Sequence, residues 1–262
     1  MSSDIIDDRL LGAIHLRSLR REGMDHDPHE AHEAFQSGTV RALMDGLFDG
    51  DLNIGELLEH GDHGIGTIQG LDGELVIIDG EAFVARFDGE VRPVGDEVLT
   101  PFAVVAGLGD VPAEPLAGPL DFERLCRVLD ERCERADDFA VVRIDGRFSG
   151  LRVRSVEGQS PPYPTLAEVA RKQTEWELGP SEGSIVGFRF PDLLAGIEVP
   201  GYHLHFISAA RDAGGHVLAL ELLEGELRLD EGGELVVELP PGEEIEGVDG
   251  DRLAELQEVE GR

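Results

Sequence analysis

The chain has 262 residues, enough for one large domain or two closely joined ones, and its 55 acidic against 22 basic residues leave a formal charge of −33. Such a balance repels phosphate backbones and anionic lipid, which excludes nucleic acid and membrane surfaces as partners. No apolar run approaches the length needed to cross a bilayer and no secretory signal is found, so a cytoplasmic protein is expected. Lys172 is the sole lysine. An acidic, lysine-poor composition suits a protein kept soluble in high salt, where screening removes self-repulsion; a generic acidic cytosolic protein is the competing explanation.

Residues 1–37 are charged and weakly patterned, and read as an acidic N-terminal extension, partly disordered or loosely docked. His26, His29 and His32 lie there among acidic residues at a spacing unlike His-Glu-x-x-His, which reads as a solvated face. From Thr39 to His60 apolar residues recur at helical spacing, with a break at Gly50-Asp51, so two short helices are predicted. The run 61–70 is too glycine-rich for a helix and opens a series of strands. Without Gly-Lys-Ser/Thr its glycines do not signal a phosphate loop. His60 and His63 flank Asp62 in this run and read as a wet loop rather than a second metal site.

Strands are predicted at 74–78, 82–87 and 102–106, with Asp-Gly turns at Asp72-Gly73, Asp79-Gly80 and Asp88-Gly89. Residues 107–119 read as a loop. The helical run 120–136 carries Cys126 and Cys133, whose spacing fits neither a disulfide framework nor a Cys-x-x-Cys metal motif. A strand at 139–144 is predicted to turn at Asp145-Gly146 into a second at 148–156, with Arg152 and Arg154 on one face. After Pro161, Pro162 and Pro164, Thr165 caps a short helix to about Gln173. Strands follow at 184–190, 201–207, 216–224 and 234–239, then a terminal helix at 250–260. Helix followed by several strands therefore occurs twice. The expected fold class is mixed α/β (α+β): two similar helix-plus-mostly-antiparallel-sheet halves, 38–160 and 161–262, from an internal duplication.

The informative stretch is Gly201-Tyr202-His203-Leu204-His205-Phe206-Ile207, followed by Gly214-Gly215-His216. Side chains of a strand alternate, so His203 and His205 share one face while Leu204 and Phe206 take the other. A short glycine-containing turn brings His216 back beside them on an antiparallel strand. Three neutral imidazoles on one sheet face suit a borderline-soft divalent metal with an open coordination position, as catalytic zinc requires. A cupin-like metal oxygenase or isomerase also carries His-x-His on a strand, but would place a glutamate soon after the second histidine and its third histidine much later. A non-catalytic metal-binding module is a further alternative.

Seven colinear segments carry a resemblance: Leu57-Leu58-Glu59-His60-Gly61-Asp62, Gly64-Ile65-Gly66-Thr67, Leu71-Asp72-Gly73-Glu74-Leu75, Thr100-Pro101-Phe102-Ala103-Val104, Arg143-Ile144-Asp145-Gly146-Arg147-Phe148-Ser149, Val186-Gly187-Phe188-Arg189 and Gly201-Tyr202-His203-Leu204-His205-Phe206. Together they resemble the alpha-acetolactate decarboxylase family over nearly everything from Thr39 onward. The N-terminal extension and the lysine-poor acidic composition depart from it. The resemblance implies a zinc enzyme that converts (S)-2-acetolactate to (R)-acetoin and carbon dioxide, on a fold that commonly forms a homodimer. It maps the zinc ligands onto His203, His205 and His216, two catalytic glutamates onto Glu74 and Glu260 (Glu258 in reserve), a catalytic arginine onto Arg154, and places Thr67 near the substrate.

The residue types match the chemistry implied. A β-keto acid that loses carbon dioxide leaves an electron pair that must spread into the neighbouring ketone. A Lewis acid at that oxygen lowers the barrier without an organic electron sink such as thiamine diphosphate. Arg154 can fork onto the substrate carboxylate and orient the breaking bond. Glu74 and Glu260 then divide the proton work, Glu74 beside the metal and Glu260 in positioning or protonation.

Overall fold

The computed structural model describes residues 5–11, 14–20, 32–108, 111–239 and 250–259. Strands β1 (Ile5–Leu11) and β2 (Ile14–Arg20) pair antiparallel, and β3 (Glu33–Ser37) follows. These three strands fall within the stretch expected as a partly disordered extension. Ile14 and Leu16 are fully buried while His15 between them is half-buried, so the strand signal is a short alternation. The partner that completes β2 comes from the far end of the chain, which no local pattern reveals.

Helix α1 (Val40–Met44) starts where the Thr39 hydroxyl accepts the Ala42 N–H at 3.2 Å. After β4 (Leu52–Asn53), α2 (Ile54–Leu58) is held by a capping box between Asn53 and Glu56. Then come β5 (His63–Thr67), β6 (Glu74–Ile78), β7 (Glu81–Ala85), β8 (Val91–Pro93), β9 (Leu99–Thr100) and β10 (Ala103–Ala106). The turn between β6 and β7 puts Asp79 and Gly80 at φ 54° and 74°, the left-handed pair that the Asp-Gly signal predicts. Next are β11 (Glu114–Asp121), α3 (Phe122–Asp130), β12 (Phe139–Ser155), α4 (Leu166–Ala170), β13 (Thr174–Leu178) and β14 (Ser181–Phe190). The described chain closes with β15 (Gly201–Ser208), β16 (Gly214–Gly232), β17 (Glu234–Leu239) and α5 (Gly250–Val259).

Later elements also differ from expectation. Residues 114–119, read as part of a loop, and 120–121, read as the start of a helical run, form β11 along the edge of β16; the prolines and glycine that suggested a loop are tolerable on an edge. Strand β13 was not predicted at all. Residues 139–155 form one strand, with no turn at Asp145-Gly146, because β12 is paired on both sides and the row Gly183, Gly146, Gly225 runs straight across three strands. A Cβ at Gly146 would lie 2.8 Å from the Glu224 carbonyl oxygen, so that glycine serves close strand approach rather than a turn.

The strands form a nine-stranded sheet in the order β1-β2-β17-β3-β10-β5-β6-β7-β8 and a six-stranded sheet in the order β11-β16-β15-β14-β12-β13, with β12 also paired to β16. Strand β17 lies parallel to both β2 and β3. Sheet membership therefore crosses the boundary expected between residues 160 and 161: β11 and β12 belong to the later sheet and β17 to the earlier one. The fold is a strand-dominated mixed α+β architecture with few helices among the described residues. Ile65, Val76 and Val104 of the first sheet share a core with Val141, Val186 and Phe188 of the second. Helix α2 covers the outer face of the first sheet with Ile54 and Leu57, and α3 covers the second with Leu125 and Leu129. A separate apolar cluster joins α1, α4 and α5 through Leu43, Leu166 and Leu256. Beside this three-helix cluster lies the site.

Candidate active site

Strand β15 carries His203 and His205 toward the first sheet, while Leu204 and Phe206 enter the core on the α3 side. The turn after β15 pairs Phe206 with Gly215 and His205 with His216, so the third imidazole stands beside the second on the adjacent strand. Ring centroids are 5.1, 5.1 and 5.4 Å apart, and one ligand nitrogen from each histidine lies within 4.8 Å of the others. All three side chains are buried. The Nδ1–H of His205 donates to the Leu75 carbonyl of β6 at 2.8 Å, which fixes its tautomer and leaves the Nε2 lone pair facing the cluster. Among the described residues this is the one group of three or more side chains that could hold a metal ion, and an all-imidazole donor set in that geometry fits a divalent cation.

The same register brings Arg154 to the cluster. On β12 it sits directly opposite His216 of β16, so Arg154, His216 and His205 form one row across three strands. Arg154 is 5% exposed, whereas Arg152, its predicted face-mate, is exposed beside Glu175 at 3.9 Å. The Arg154 guanidinium donates to the Gln173 side-chain oxygen at 3.2 Å. Glu74 approaches from the other sheet, where it opens β6. It is 8% exposed and its Oε2 lies 3.4 Å from His205 Nε2. Thr67 is its cross-strand neighbour on β5; its hydroxyl donates to the Gly73 carbonyl at 2.8 Å, bracing the turn that leads into Glu74.

Thr67, Glu74, Arg154 and His203 all line one cavity of about 50 Å³, walled on its apolar side by the α1, α4 and α5 cluster. Glu260 lies outside the described residues, and of Glu258 the structure describes the backbone within α5; Val259, between them, lines the cavity. His26 and His29 also lie outside the described residues, while His32 is exposed with its Nδ1 2.9 Å from Asp230.

His60 and His63 depart from the wet-loop reading. His60 stacks on Phe35 with ring centroids 3.8 Å apart. His63 is buried in β5 with Nε2 3.1 Å from the Val142 carbonyl, and burial pushes its pKa down to about 4. Cys126 and Cys133 form no disulfide, and burial raises the Cys133 thiol to about 11, which disfavours its reactive thiolate. Gln173 was not singled out in the sequence. Its position just past a Thr-capped helix is the sole local signal, and its contact with Arg154 depends on pairing of β12 with β13.

Fold and site together define a strand-built protein in which a cationic group and a carboxyl group face three histidines that could hold a metal ion. The model of the alpha-acetolactate decarboxylase family matches residues 34–249. A relative named alpha-acetolactate decarboxylase from Methylococcus capsulatus is 39% identical over 235 residues, 90% of this chain and 90% of its own length. Another of that name from Methanosarcina mazei is 40% identical over 206 residues, 79% of this chain and 72% of its own. Among solved structures, the alpha-acetolactate decarboxylase of Bacillus subtilis superposes with a TM-score of 0.83 at 31% identity, covering 88% of this chain and all of that one. The chain belongs to the alpha-acetolactate decarboxylase family and is an enzyme, a carboxy-lyase whose family reaction is the decarboxylation of acetolactate. This membership replaces the cupin-like alternative. No helix among the described residues is long and apolar enough to cross a membrane.

Proposed function

We propose that this chain is a zinc-dependent enzyme that converts (S)-2-acetolactate to (R)-acetoin and carbon dioxide, acting as a cytoplasmic homodimer. The observation that carries the reading is the row Arg154, His216, His205, faced across the cavity by Glu74 from the other sheet. His203, His205 and His216 would hold the zinc, which when bound supplies Lewis-acid stabilisation of the negative charge left on the substrate ketone oxygen. Arg154, buried and always charged, forks onto the substrate carboxylate and holds the bond to it perpendicular to the neighbouring carbonyl. When that bond breaks, carbon dioxide leaves and its electron pair passes into the ketone. Glu74 manages the substrate hydroxyl proton, and Glu260, with Glu258 in reserve, positions or protonates the resulting enediolate on one face. The apolar wall of the cavity limits how much water can approach, so protonation falls to these groups. Two cysteines without a disulfide agree with a reducing cytoplasm, and the homodimer rests on the family resemblance.

The test is acetoin formation from racemic acetolactate, with and without a chelator reversed by zinc. His205→Ala is expected to lose both bound zinc and activity, and Arg154→Ala to keep zinc and lose turnover. A folded, zinc-loaded protein that makes no acetoin would identify a metal-binding module instead of a decarboxylase.

A further inference from the structure

Helices α4 and α5 are separated by a second cleft, of about 180 Å³, lined by Ala167, Ala170, Arg171, Gln173, Glu255 and Val259. Ala170 and Val259 also line the catalytic cavity, so the two spaces adjoin. Gln173 faces the cleft and accepts a hydrogen bond from the Arg154 guanidinium, which faces the cavity. Its own amide donates to Glu175 at 2.8 Å, which sets which end of Gln173 meets Arg154. Arg171, at the C-cap of α4, is exposed and makes no ion pair among the described residues, although the chain holds 55 carboxylates.

We propose that this cleft is the entrance for the anionic substrate, with Arg171 drawing the carboxylate to the rim and Gln173 holding Arg154 ready to receive it. The inference rests on the decarboxylase reading, since it needs a small anion as substrate. A chain of formal charge −33 repels such an anion from most directions. A guanidinium at the mouth with no ion pair among the described residues lowers that barrier locally, and low-dielectric walls focus its field. Glu255, across the cleft on α5, opposes it. Gln173 acts at one remove: it is a positioning residue that orients the guanidinium at no cost in charge, whereas a carboxylate there would compete with the substrate for Arg154.

The experiment is steady-state kinetics of the zinc-loaded enzyme at about 0.05 M and about 1 M KCl, where screening lengths differ severalfold. Arg171→Glu is expected to raise KM about tenfold at low salt, with the gap closing at high salt and kcat moving less than about twofold. Glu255→Gln is expected to lower KM. Arg124→Glu, the same charge change on α3 outside the cleft, controls for overall charge. Gln173→Met, which keeps the shape and loses the acceptor, is expected to lower kcat about tenfold; Gln173→Glu, which keeps an acceptor, should restore kcat to within about threefold while raising KM. If Arg171→Glu and Arg124→Glu give the same KM, or Gln173→Met keeps full kcat, the entrance is overturned while the decarboxylase reading stands. A wild-type enzyme inert toward acetolactate overturns both.

Discussion

At the scale of single residues, burial decides what each titratable group can do. His63 bridges the sheets from β5 to the Val142 carbonyl of β12, and its pKa of about 4 lies below the 6.5 of a free histidine. Between those values the unfolded chain binds the proton more readily than the folded one. Its share of stability is therefore complete above pH 6.5 and is lost as pH falls toward 4, an effect of roughly 3 kcal/mol. Metal-free wild type should lose urea resistance over that window, and His63→Gln, which keeps a donor without titrating, should lose less; equal slopes would show that His63 is protonated at little cost. Glu74 is buried against His205, and replacing it with Gln preserves shape and hydrogen bonding while removing the proton acceptor. Glu74→Gln should retain zinc and lower kcat by about 100-fold or more, read by acetoin assay beside zinc content.

Among elements, the strands that differ from expectation are those whose identity depends on neighbours. An Asp-Gly pair makes a turn at Asp79-Gly80, where both residues take positive φ, yet continues a strand at Asp145-Gly146, where β14 and β16 flank β12. The dipeptide is the same; the difference is whether strands approach from both sides. Gly146→Val would drive a side chain into Glu224 and Gly225 and should destabilise by about 2–4 kcal/mol, visible as a lower urea midpoint. If the midpoint holds, the glycine row is not a packing requirement. Helix α4 is short and depends on its cap: the Thr165 hydroxyl accepts the Glu168 N–H at 3.3 Å and Glu168 accepts the Thr165 N–H at 3.0 Å. Thr165→Ala should cost about 1 kcal/mol in thermal or urea unfolding. That cap was legible in the sequence, because a capping box is a contact between residues three apart.

For the whole molecule, the formal charge of −33 stores repulsion that every fold of this chain must overcome. Raising KCl from about 0.05 M to about 1 M shortens the screening length and should raise Tm by at least about 5 °C in calorimetry, whereas a salt-independent Tm would show the carboxylates already neutralised by local pairing. What the sequence alone determined is local or compositional: the side of the strand that His203 and His205 share, the Thr165 helix cap, the charge balance, and the motifs that carry the family resemblance. What only the tertiary structure decided is assembly. Strand β17 reaches back to lie between β2 and β3, β12 sets Arg154 opposite His216, and β6 delivers Glu74 to His205 from a different sheet. Alternation along a strand is a property of neighbouring residues and can be read from them. Which strands pair, and in what register, depends on burying many apolar faces at once, so the convergence on three histidines exists only once both sheets have formed.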